Sequence, residues 1–82
     1  MRLNEVPEQY KIYTIYMTSR SEYQIDGITK QNIMNAVGQW VELGNGTSLN
    51  KSYIIEIKLN KEETRTFVLQ HQDEIKNSIV KL

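Results

Sequence analysis

From Tyr10 to Thr18 the chain reads YKIYTIYMT, with apolar side chains on both alternating faces. One face carries Tyr10, Ile12, Thr14 and Tyr16; the other carries Lys11, Tyr13, Ile15 and Met17. β-Branched and aromatic residues at that density predict a strand covered on both sides. Ser19-Arg20-Ser21-Glu22 reads as a turn, and Tyr23-Gln24-Ile25 as a short returning strand ended by Asp26-Gly27. The clearest alternation lies in Ser52–Leu59, SYIIEIKL. There Tyr53, Ile55, Ile57 and Leu59 share one face, and Ile54, Glu56 and Lys58 the other, as in a sheet with one wet side.

Helical spacing appears between these strands. Ile33, Ala36, Val37 and Trp40 recur at helical intervals. Thr29 can cap the free amides at the start, with Ile28 and Ile33 at hydrophobic-staple spacing. The helix can end at Gly38 or at Gly44. Gly38 is preferred, because glycine inside a helix costs roughly 1 kcal/mol. That ending turns Trp40–Leu43 into a strand, Gly44-Asn45-Gly46 into a turn and Thr47 onward into a return. Trp40 is then read as a core residue. Asn60 followed by Glu63 resembles a capping box, and Thr64, Val68, His71, Ile75, Ile79 and Leu82 follow a helical stripe. Residues 61–70 are therefore read as helix in preference to the alternative, a strand over Thr64–Leu69.

These elements predict one small α+β domain. An antiparallel sheet forms from the N-terminal hairpin and strand 52–59, with a hairpin arm over 40–49. A central helix and a C-terminal helix pack with it. Residues 1–9, polar and containing Pro7, are read as an arm, and 10–82 as the domain. A chain of 82 residues buries only about 60% of its unfolded surface, so association is an accessible way to bury more.

Composition narrows the chemistry. There is no cysteine, which excludes disulfides and thiolate metal sites and fits a reducing compartment. Ten basic residues balance ten acidic ones, so the chain lacks the overall basic field of a general nucleic-acid binder. Met1–Glu5 has no apolar core of a signal peptide, and no apolar run approaches the roughly 20 residues that cross a bilayer. The expectation is a cytoplasmic protein without membrane contact. Two glycosylation sequons, Asn45-Gly46-Thr47 and Asn50-Lys51-Ser52, are then coincidental.

Candidate catalytic groups are sparse. His71-Gln72-Asp73-Glu74 is the one place where imidazole and carboxylates cluster, and only Glu74, three residues on, shares a helix face with His71. Two ligands are too few for a metal. The doublets Glu62-Glu63 and Asp73-Glu74 diverge on a helix and suit the macrodipole better than acid–base work. Gly44-Asn45-Gly46-Thr47 lacks the lysine of a phosphate loop. No enzyme, cofactor or metal is expected.

The tyrosines carry more. Tyr10, Tyr13, Tyr16, Tyr23 and Tyr53 fall on or beside the predicted strands. Tyrosine is enriched among residues that dominate protein interfaces, and it also packs across strands. Tyr13, Tyr16, Tyr23 and Arg20 are the expected contact residues for an unidentified protein partner. A rival reading uses the tyrosines to stack bases, with Lys11, Arg20, Lys30 and Lys58 on the backbone. A third is a homo-oligomer joined through an open sheet edge.

The succession of Ile28-Thr29-Lys30-Gln31, Gln39-Trp40-Val41-Glu42-Leu43-Gly44 and Ser52-Tyr53-Ile54-Ile55-Glu56-Ile57 resembles small accessory proteins of phages and prophages of low-GC Gram-positive bacteria. The likeness is one of arrangement, size and composition over about residues 10–60. It implies a protein that binds and blocks, or redirects, a host factor, and it implies no particular residues.

Overall fold

The computed structural model describes residues 2–80, with side chains described through Asn77. The chain forms a small α+β fold of antiparallel sheets and three helices. Strand β1 (Ile12–Met17) lies between β2 (Glu22–Asp26) and the distant β5 (Ile54–Leu59). A separate hairpin pairs β3 (Trp40–Glu42) with β4 (Ser48–Asn50). Helix α1 (Gly27–Asn35) joins the first hairpin to the second, and α2 (Lys61–Gln70) and α3 (Gln72–Val80) follow β5.

The face that β1 turns to the core is the one bearing Tyr13, Ile15 and Met17. These residues are buried with Ile25, Ile33, Val41 and Leu49. Tyr23, Ile54, Ile57 and Leu59 pack against them. Each strand and the α1 helix thus contribute one apolar set, which burial out of water holds together. The opposite face carries Ile12, Thr14 and Tyr16, and α2 covers the end near Ile12. Thr64, fully buried on α2, accepts from the Ile12 amide at 2.9 Å and donates to the Ile12 carbonyl at 3.3 Å. Asn60 donates to Thr14 Oγ1 at 3.2 Å and caps α2 by accepting from the Glu63 amide at 3.0 Å. Both faces of β1 are therefore covered, as its composition requires. Thr64→Val keeps the shape but strands the Ile12 amide, the Ile12 carbonyl keeping its bond from the Asn60 amide, and is expected to cost about 1–3 kcal/mol in a urea titration.

Four sequence expectations are corrected. The cap of α1 is Asp26, whose Oδ1 accepts from the Thr29 amide at 2.7 Å, so Thr29 lies inside the helix. An aspartate before glycine caps well because the carboxylate is short enough to reach back. The helix ends at Asn35, in keeping with the preferred Gly38 ending and with Trp40 in a strand, but Ala36 and Val37, read on the helical face, fall beyond its last residue. In β5 the pairing slips between Tyr16 and Met17, which oppose Glu56 and Ile54 respectively. Ile55 is the extra residue, so the alternation inverts there: Ile54 joins the core side and Ile55 is exposed. The C-terminal stripe is broken at His71, whose φ of −124° ends α2 before α3 begins. Leu82 and the side chain of Ile79, both placed on that stripe, lie outside the described residues.

The N-terminal arm is packed on the domain. Two short 3-10 turns, Leu3–Glu5 and Glu8–Tyr10, flank Val6, which is buried.

Candidate interaction surface

The four residues singled out from the sequence do not share a surface. Tyr13 is only 8% exposed. Its hydroxyl donates to Glu8, with Oε2 at 3.0 Å, and the Lys30 ammonium sits 4.5 Å from its ring centroid. Burial first, then the Glu8 hydrogen bond and charge, push the Tyr13 phenol above the usual tyrosine range. Glu8 is held below the usual carboxylate range, chiefly by its 2.9 Å bond from Lys11, against partial desolvation and with help from Tyr13. Tyr13, Glu8, Lys11 and Lys30 are thus one local network that fastens the N-terminal turn to the sheet. Tyr23 opposes Ile15 and is partly buried against the core. Tyr16 lies on the opposite face, between Glu22 and Glu56 in the ladder. Arg20 is at the exposed tip of the first hairpin with φ of 70°, a conformation that a non-glycine residue adopts uncommonly.

The cations of the base-stacking reading are also dispersed. Lys11 is paired with Glu8, Lys30 covers Tyr13, and Lys58, exposed on β5, opposes Thr14. His71 is stacked on Phe67 with centroids 4.1 Å apart, and its Nδ1 lies 2.9 Å from the Phe67 carbonyl oxygen. Tyr10 completes this aromatic group.

Exposed apolar side chains gather elsewhere. Trp40, read from sequence as core, is 66% exposed because Val41 takes the inward position of β3. Met34 and Val37 are exposed in the six residues before it. Tyr53 is 57% and Ile55 66% exposed where the chain enters β5. Lys51 ties these two stretches together. Its amide donates to the Gln39 carbonyl and its ammonium to the Ala36 carbonyl, each at 2.6 Å. The two stretches that bear these exposed apolar side chains are thus fastened to one another through Lys51. The sequence signal was present in Trp40 and Tyr53 themselves; Trp40 turns outward by strand parity, while Ser52 and Tyr53, read from sequence as strand, lie in the 3-10 turn Lys51–Tyr53 that precedes β5.

A cleft of about 350 Å³ lies between the N-terminal turn and the last helices, lined by Leu3, Val6, Val68, Leu69 and Ile75 with Arg65 and Lys76 at its edge. Among the described residues no three histidines or carboxylates converge as metal ligands, and no helix is long and apolar enough to cross a membrane. Comparison with protein-family models, curated proteins and solved structures finds no match for the chain.

Proposed function

We propose that this protein is a small non-enzymatic interaction module that binds another protein through the surface bearing Met34, Val37, Trp40, Tyr53 and Ile55. The observation that carries the reading is the exposure of those large side chains on backbone held by the Lys51 bonds. Scattered exposed apolar residues are ordinary, but a group that includes Trp and Tyr on fixed backbone is what interface anchors are made of. A protein target is favoured over nucleic acid because Tyr16, the sheet tyrosine turned away from the core, is flanked by the carboxylates of Glu22 and Glu56. The single histidine and the lack of cysteine leave little for nucleophilic chemistry. The resemblance to phage and prophage accessory proteins points to a host factor as the target, which this surface would occlude.

Trp40 and Tyr53 are exposed, so their replacement leaves the core intact. The Trp40→Ala/Tyr53→Ala variant is expected to lose a captured host protein, with affinity at least about thirtyfold weaker. Capture of the same protein with unchanged affinity by the folded double variant would contradict the assignment.

A further inference from the structure

We infer that strand β5 is a self-association edge, on which a second copy of this chain pairs antiparallel about Ile57. The inference concerns the C-terminal part of β5, which adjoins the Trp40–Tyr53 surface at Ile55, and it does not rest on that surface binding a protein.

The sheet has two outer strands, β2 and β5. The Asn60 amide donates to the Ile12 carbonyl. Hydrogen-bonded pairs alternate along an antiparallel ladder, so Thr14–Lys58 and Tyr16–Glu56 are also bonded pairs. The amides and carbonyls of Ile57 and Leu59 consequently point away from β1. Among the described residues no strand lies beside them, and neither residue enters a backbone hydrogen bond outside the ladder. Such an edge is a template for another strand.

Charge selects both the edge and the register. With Ile57 opposite its own copy, the two isoleucines exchange both backbone bonds and Ile55 opposes Leu59 on each side. Glu56 then faces Lys58 of the other copy, twice, at positions where side chains come closest. Glu56 and Lys58 are exposed and on the same face, since they oppose Tyr16 and Thr14. Shifting by one step in either direction sets Glu56 against Glu56 or Lys58 against Lys58. The rival edge offers no such match. The Met17 amide donates to the Ser21 carbonyl, so Glu22 and Gln24 present the outward groups of β2. Pairing about Gln24 would oppose Glu22 to Asp26. The chain's zero net charge removes long-range repulsion between copies. The slip at Ile55 limits the ladder to its C-terminal part, and the pairing makes one continuous sheet across both copies.

Sedimentation of the full chain across a concentration series tests this. The wild type is expected to dimerise, and Glu56→Lys or Lys58→Glu alone to weaken self-association by about tenfold or more. An equimolar mixture of the two variants, and the Glu56→Lys/Lys58→Glu double variant, are expected to recover it, because each restores opposite charges across the edge. Amide exchange on the wild type supplies a readout that needs no variant: the Ile57 and Leu59 amides are expected to gain protection as concentration rises. A wild type that stays monomeric at millimolar concentration overturns the inference. So do single variants that associate as the wild type does, a mixture that fails to recover, or a dimer whose Ile57 amide remains unprotected.

Discussion

Ile15→Ala is expected to destabilise this protein by about 2–5 kcal/mol. Ile15 is 0% exposed at the centre of the middle strand, opposite Tyr23 on one side and Ile57 on the other. Strands hold it on both flanks, so the backbone cannot collapse into the space that the lost methylenes leave. A domain of this length has a total stability of about 4–12 kcal/mol. The substitution therefore removes a large share of it, and a large fraction of molecules can be unfolded at body temperature. Urea titration is the check: the midpoint should fall steeply with the slope unchanged. A midpoint close to that of the wild type would mean that the core does not centre on β1.

The second large effect comes from a position that looks innocuous in the sequence. Gly27 opens α1, where alanine would ordinarily stabilise by roughly 0.5–1 kcal/mol. A Cβ there would fall on the Glu8 carbonyl oxygen, with the Glu8 carbonyl carbon at 2.8 Å and Glu8 Oε2 at 2.7 Å. Backbone is the obstacle, so no rotamer change relieves it. Gly27→Ala is expected to destabilise by about 1–3 kcal/mol and to displace the Glu8 turn from Tyr13 and Lys11. The sign decides: thermal unfolding at or above the wild-type temperature would show that the N-terminal turn does not pack on α1 as described.

These two residues mark what was legible in the sequence. Asn60 and Glu63 announced the start of α2 because capping is local chemistry. Gly38 and the Gly44–Gly46 turn announced the second hairpin for the same reason, with both turn glycines at positive φ. The α+β class followed from segments whose periods are two and 3.6. Long-range contacts were not legible. YKIYTIYMT is apolar at both parities, so the pattern did not say which face of β1 the core would take. It took the face with Tyr13, and that removed Tyr13 from any contact surface. The Ile55 slip depends on how β5 meets Tyr16 and Met17, far away in sequence, and it reversed the orientation read for Ile54 and Ile55. The contact between Gly27 and Glu8 left no signal beyond a glycine after Asp26, which also serves as the end of a strand. His71 could not be read as a break because Val68, His71 and Ile75 keep helical spacing through it.

The candidate surface was half legible for the same reasons. Tyrosines and Trp40 were visible as interface chemistry. Their distribution between the core, the opposite face and exposed positions is set by register. Arg20 remains an exposed residue at a hairpin tip; the same turn is joined to Tyr53, whose carbonyl accepts from the Thr18 amide at 2.9 Å.

The most direct measurement of the central claim is site-specific photo-crosslinking in the natural host, with the reactive side chain at Val37, which is fully exposed. The same probe at Glu63, exposed on α2, serves as the comparison. The account predicts a discrete protein adduct from position 37 that survives nuclease and is absent from position 63. Equal adducts from both positions, or none from position 37 while the protein is folded and abundant, would contradict it.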